Sequence, residues 1–325
     1  MTGIVHVDAA LSNLSLAYKA AVNIIRRILL PFPTEHKSDV VYRIGQELFV
    51  AEDDARAAGA EAKETTWGVT TVNFACSGHA LRDKIARDKQ NNADPALNLM
   101  ALSTQVLTRK SNLNEEIAGA AAILAGMTVG GTVIDRSAAA WNTGAVDPYT
   151  YLKARIDAIT LACGFPPNVL ALAQPVWTAI RTNPNVVGLI TGAPQVTNAR
   201  VSLEQFAELL ELDEVIVGRA VFNTVLGAAK TFVWGEKALL FYRPPNPGLA
   251  EPALGYTPIW IGALAAVTGL EKIPGMDGQG DQFVQQYFWE PEVSDYVVVH
   301  RYYDQQIWMP ECGELYTGCL GTLNA

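Results

Sequence analysis

A chain of 325 residues, half of them apolar and only 18% charged, can bury a large core, which excludes a disordered polymer and leaves one to three domains. A formal charge of −9 and a pI near 5.0 exclude an extended basic groove for nucleic acid, because duplex affinity comes largely from Lys and Arg neutralising phosphates. The four cysteines (Cys76, Cys163, Cys312 and Cys319) form no C-x-x-C pair, so the expectation is buried or free thiols rather than a disulfide framework.

The first residues, MTGIVHVDAALSNLSLAY, put no basic region ahead of an apolar one, so no signal peptide is expected. Apolar spacing predicts a helix over 11–30, ended by Pro31-Phe32-Pro33. "SDVVYRIGQELFV" (38–50) is β-branched and aromatic, as an extended segment is. "AEDDARAAGAEAKETTWGVTT" (51–71) follows, with Trp67 as its only large apolar side chain. "TTWGVTTVNFACSGHAL" (65–81) then alternates like a strand. Two strands joined by a long polar arm predict a hairpin that protrudes from its own domain.

The strongest local pattern is a helix over 94–125, with Asp94 as N-cap, Pro95 at the first helical position, and a length of roughly 45 Å. Leu99, Leu102, Val106, Leu113, Ile117, Ala120 and Leu124 recur at helical spacing and predict its buried face. Gly126, Gly130 and Gly131 are expected to end it. Beyond a small-residue linker (126–144), Asp147, Pro148 and Gly164 predict the cap, first turn and stop of a second helix. "NVLALA" (168–173) reads as a strand, 174–181 as a helix, and 202–212 as a helix with a Ser202/Gln205 capping box. "EVIVGRAVFN" and "KALLFYRP" read as further strands, giving a mixed α/β or α+β domain over about 147–270. After the loop "PGMDGQGDQ", the tail "DYVVVHRYYDQQIWMPECGELYTGCL" reads as two long antiparallel strands returning to the long helix. The uncharged runs 117–134, 158–180 and 252–270 are broken by Gly or Pro and are read as buried segments, not membrane spans. There is no internal repeat and no low-complexity tract.

Catalytic chemistry is thin. His6, His36, His79 and His300 make no metal-binding spacing. Ser77 lacks the context of a nucleophile elbow, and Cys76/His79 are read as structural rather than as a nucleophile pair. "GMDGQGDQ" has neither the acidic spacing of a calcium loop nor a phosphate-loop lysine. The pairs Asp53/Asp54 and Glu115/Glu116 both read as solvated polar faces. The aromatic clusters "QYFWEPE" and "RYYDQQIW" have little Lys or Arg between them and are assigned to packing. The residues thus point to an interaction or structural protein with no catalytic, cofactor or metal site.

The order of these parts resembles the major capsid proteins of tailed bacteriophages with the Hong Kong 97-type fold, particularly the subgroup like the lambda major head protein. The likeness rests on "DAALSNLSLAY" before a proline break, "KSDVVYRI", and "EDDARAAGAEAKETTWGVTT" with its R-x-x-G element. It continues through "NNADPALNL" ahead of the long helix, "NVLALAQPVWTAIRTNPNVV", "AELLELDEVIVGRAVFNT", "VWGEKALLFYRP" and "GYTPIW". It implies an α+β fold with an N-terminal arm (1–45), an extended β-hairpin loop (46–82), and a peripheral domain (83–146 and 281–325) holding the spine helix (94–125). An axial domain (147–280) completes it. No large scaffolding segment is expected ahead of the arm. The implied function is structural: pentamers and hexamers of the chain tile a shell around double-stranded DNA without sequence-specific binding. Scaffolding, decoration and portal proteins are further expected partners, membranes are not, and the place is the virion, assembled in the host cytoplasm. The expected subunit contacts are Glu52, Asp53, Asp54, Arg56, Glu61, Lys63 and Trp67 of the extended loop. Some relatives join subunits by Lys–Asn isopeptide bonds; Lys63 is the only arm lysine, and no motif assigns it an Asn. Two other readings fit the same residues: an encapsulin-like nanocompartment shell, and an α/β enzyme with an unrecognised site.

Overall fold

The computed structural model describes residues 6–7, 23–44, 49–56, 58–59, 61–65, 68–92, 98–192, 200–225, 227–245, 252–263 and 282–321. The chain enters as a two-residue strand, His6–Val7 (β1), and later forms one helical turn, Ile25–Ile28 (α1). Leu30–Thr34 (β2) is already extended, so the helix expected to reach residue 30 stops earlier. Pro31 and Pro33 account for this, since each fixes φ and removes a helix donor. The rest of that expected helix, 11–22, lies outside the described residues.

Ser38–Ile44 (β3) and Val69–Ala75 (β4) pair antiparallel from Ser38↔Ala75 to Ile44↔Val69, as the alternation predicted. The polar arm therefore leaves from the far end of a real hairpin. Ser77–Ala86 (β5) does not prolong that hairpin but joins another sheet, and Arg87–Asn91 (α2) follows it.

The long helix spans Leu99–Gly130 (α3), 32 residues or about 48 Å. Its N-cap is Asn98, whose side chain accepts from the Ala101 N–H at 3.1 Å, not Asp94, which with Pro95 lies outside the described residues. Nor does Gly126 end it. That glycine is packed beneath Ile307, where a Cβ would come within 2.5 Å of the side chain, and Gly131 is the C-cap.

The buried face of α3 is also not the expected one. Leu102, Val106 and Leu124 are 47, 44 and 37% exposed, whereas Ser103, Thr104, Thr108, Ser111, Glu115 and Glu116 are buried. Polar groups can face inward here because each finds a partner. Ser103 Oγ donates to Asp83 at 2.7 Å, Thr104 Oγ1 donates to the Met100 carbonyl at 2.9 Å, and Gln282 Nε2 donates to Thr108 Oγ1 at 3.3 Å. Small hydroxyl side chains also let the helix lie close on a sheet.

Thr132–Asp135 (β6) leads to Pro148–Cys163 (α4), whose cap Asp147, first-turn Pro148 and left-handed Gly164 (φ +83°) are those read from the sequence. Next come Val169–Ala173 (β7), Gln174–Ile180 (α5), Pro184–Thr191 (α6) and Leu203–Leu209 (α7), the last with its Ser202/Gln205 capping box formed. The remaining strands are Glu214–Gly218 (β8), Val221–Phe222 (β9), Thr231–Phe232 (β10), Ala238–Phe241 (β11), Gly255–Trp260 (β12), Gln282–Trp289 (β13), Ser294–Tyr303 (β14), Gln306–Ile307 (β15) and Gly313–Thr317 (β16).

Among the described residues there are two large sheets. One runs β1-β13-β14-β12-β15, with β5 on β14 along ten residue pairs and β2 parallel on β12. Helix α3 packs on it through Met100 and Leu107 against Ile85, Val284, Val297 and Val299. The other runs β6-β16-β11-β7-β8 and carries the largest core, with every residue of β7 and β11 buried. The two tail strands do not pair with each other. β14 pairs with β13, just before it, while a proline-containing turn at 310–312 sends β16 into the second sheet.

Of the uncharged runs, 117–134 ends α3 and forms β6, 158–180 spans α4, β7 and α5, and 252–270 is described only to 263. No described helix is long and apolar enough to cross a membrane. Cys163 and Cys312 form a disulfide with a Cα–Cα distance of 4.9 Å, against expectation; Cys76 and Cys319 are free and buried. The partners are 149 positions apart, so only the packing of α4 on the turn before β16 brings them together.

Candidate functional site

Every described residue from 49 to 65 is exposed. The arm turns at residues 58–59, and across that turn Lys63 pairs with the Asp53 carboxylate while its Nζ also donates to the Asp53 carbonyl at 2.9 Å. The Ala55 N–H donates to Asp53 Oδ1 at 3.1 Å. Lys63 and this N–H hold the Asp53 carboxyl below the usual carboxylate range. Of the expected contact residues, the structure thus joins Asp53 and Lys63. Glu52, Asp54, Arg56 and Glu61 stand in solvent with no ion pair among the described residues, and Trp67 lies outside them. At the base of the arm, the Phe49 ring meets Phe165 edge-on at 5.9 Å and lies over Gly164, where a Cβ would overlap it.

The other acidic pair is not solvated. Glu115 and Glu116 are buried where α3 meets the N-terminal segment, β14 and the turn after β10. Glu115 forms ion pairs with Arg26 and Arg301, each at 2.9 Å, and the Arg301 side chain is only 2% exposed. Arg301 Nη1 also donates to Asn112 Oδ1 at 3.0 Å. Glu116 has no cation among the described residues. It accepts from the Ile24 N–H at 3.0 Å, the Ile25 N–H at 2.9 Å and Trp234 Nε1 at 2.6 Å. Burial pushes its carboxyl above the ordinary glutamate range, with the three donors opposing the shift. The reading of this pair as a solvated face fails because helical geometry turns both residues toward donors that lie far away in sequence. The only hint was position: the pair opens the uncharged second half of α3. Arg26, Arg301 and Trp234 carried no signal.

The groups weighed for catalysis have structural partners. His79 lies 3.0 Å from Ser77 Oγ and stacks on Tyr303; His300 lies 3.0 Å from Gln285 and stacks on Phe283. Burial lowers the pKa of both imidazoles. Cys76 donates to the Pro258 carbonyl at 3.5 Å, and burial pushes its thiol up to about 11, the opposite of an activated thiolate. A cleft at the β13–β14 turn is lined by Arg82, Tyr287, Phe288, Trp289, Glu292 and Tyr296, and there the Tyr296 hydroxyl donates to the Glu292 carboxylate, which also pairs with Lys84 at 2.9 Å. Among the described residues no His, Cys, Asp and Glu cluster could hold a metal ion.

No protein-family model matches the chain, and no curated protein is significantly similar to it in sequence. Solved structures do match, from end to end. A phage-related protein from Bordetella bronchiseptica superposes with a TM-score of 0.71 at 19% identity, covering 98% of this chain and 99% of that one. The capsid of cyanophage P-SCSP1u gives 0.57 at 12% identity, over 89% of this chain and 85% of that one. The chain has the Hong Kong 97-type capsid fold. The holo-SrpI encapsulin complex from Synechococcus elongatus is also similar, with a TM-score of 0.55 at 11% identity over 96% of this chain and 95% of that one. In this Hong Kong 97-type chain, then, one polar region lies inside the fold and the other in solvent.

Proposed function

We propose that the protein is the major capsid protein of a tailed phage, which self-assembles into the icosahedral shell enclosing double-stranded DNA. The observation that carries this reading is the likeness of the fold, over most or all of the chain, to a phage-related protein and a cyanophage capsid chain, together with an arm that has almost nothing of its own to pack against. Its parts are an N-terminal arm (1–45), an extended loop (46–82), a peripheral domain (83–146 and 281–325) and an axial domain (147–280). Copies of the chain are its main partners, as pentamers and hexamers, with scaffolding, decoration and portal proteins beside them. Its role is structural and not enzymatic, and its place is the virion, after assembly in the host cytoplasm. Glu52, Asp53, Asp54, Arg56, Glu61, Lys63 and Trp67 are the residues we assign to contact with the neighbouring subunit. A negative protein suits a container that must hold DNA without adhering to it.

The encapsulin likeness supports a second reading, a shell around protein cargo. Electron microscopy of the purified chain, with nuclease digestion of particles taken from producing cells, tests both. Uniform shells protecting double-stranded DNA are the expected result. Shells that protect only protein favour the second reading, and a small soluble oligomer overturns both.

A further inference from the structure

Cys163 is the last residue of α4, and Cys312 ends the turn that leads into β16. Both side chains lie in the core of the second sheet, 3% and 0% exposed. Their Cα atoms are 4.9 Å apart, within the window in which a disulfide closes without backbone movement. In an unfolded chain the same sulfurs are separated by 149 positions, and loop closure opposes their meeting. Native packing, not chain proximity, brings them together. The other two cysteines do not compete, because Cys76 lies in a separate cluster with Phe74, Tyr256 and Trp308, and Cys319 is buried without a sulfur partner. Burial also keeps these two as thiols, at about 11 and about 12.

We propose that Cys163 and Cys312 are an oxidation-dependent staple of the folded subunit: the chain folds with both thiols reduced, and the sulfurs then join, or part again, when local opening admits a low-molecular-weight disulfide or thiol. Two S–H bonds break and one S–S bond forms. The two electrons pass to a low-molecular-weight disulfide such as oxidised glutathione, whose own S–S bond is cleaved to two thiols that take up the two protons. The closed loop contains β7 to β15, so the bond constrains the unfolded state of most of both large sheets without changing the native surface. The staple does not depend on shell building, and its failure would leave the capsid reading untouched.

The test uses the full chain, equilibrated with oxidised or with reduced glutathione, then denatured, alkylated and mapped by peptide mass spectrometry, with a thermal melt of each sample. In the oxidised sample Cys163 and Cys312 should be joined within one chain while Cys76 and Cys319 are alkylated. Its melting temperature should lie about 5 °C above that of the reduced sample. A Cys163→Ala/Cys312→Ala double variant should melt at the same temperature in both. Alkylation of all four cysteines after oxidation, a bond to another cysteine or another chain, or a redox shift that survives in the double variant would overturn the proposal. Should the variant not fold, the peptide map and melts of the unsubstituted chain decide the matter alone.

Discussion

Asp53/Asp54 and Glu115/Glu116 look alike in sequence, two neighbouring carboxylates in a polar setting, yet they end in opposite environments. Asp53 sits on an exposed arm and meets one lysine; Asp54 has no ion pair among the described residues. Glu115 and Glu116 are buried and hold the N-terminal segment, α3, β14 and Trp234 at one junction. An exposed ion pair contributes about 0–1 kcal/mol, because water and salt screen it. Removing one member of a buried pair costs about 3–5 kcal/mol, because the remaining charge has no substitute for water. The difference separates two jobs. The junction ties distant parts of the fold together, whereas the arm contributes little to the chain's own packing.

The sharpest way to break this contrast is Arg301→Met. It strips the buried Glu115 carboxylate of its most enclosed cation and should cost about 3–5 kcal/mol, read as a lower midpoint in urea. A stability within experimental error of the parent would mean the junction is not structural. Next in size is Gly164→Ala, which forces a side chain into left-handed backbone beneath Phe49. A loss of about 1–3 kcal/mol and faster proteolysis at the arm base are expected.

Glu116→Gln sharpens the contrast through pH. A folded-state pKa above the unfolded one means that the native carboxyl binds its proton more tightly. The burial penalty is therefore full above the raised folded value and relieved as pH falls toward the unfolded value near 4.5. The stability of the parent relative to Glu116→Gln should rise as pH is lowered through that window. Urea titrations of both proteins near neutrality and near pH 5 read this change, and a constant difference would contradict it. The smallest effect is expected for Lys63→Ala, under about 0.5 kcal/mol, since its pair with Asp53 is exposed. A larger loss in a thermal melt would show that the arm is part of the subunit's own fold.

Features set by neighbours in sequence were legible. The Asp147/Pro148/Gly164 helix, the Ser202/Gln205 capping box, strand β7 and the β3–β4 hairpin all follow from spacing and local chemistry. Features set by distant partners were not. The periodicity of Leu102, Val106 and Leu124 pointed to a buried face, but hydroxyl and carboxylate groups on another side of α3 find their donors and acceptors across the sheet. Cys163 and Cys312 carry no spacing motif, and the separation of β14 from β16 depends on which sheet each can complete. Of the candidate site, the exposure of the arm was readable from its lack of apolar residues. The junction was hidden, because Arg301 and Trp234 reach the helix only in three dimensions.

Deleting residues 51–64 tests the division of labour directly. The shortened chain should remain folded with its melting temperature within a degree or two of the parent, because little apolar surface is lost. Electron micrographs should show shells for the parent and none of normal form for the deletion. A deletion variant that unfolds, or that still builds shells like those of the parent, would contradict the assignment of the arm to contact between subunits.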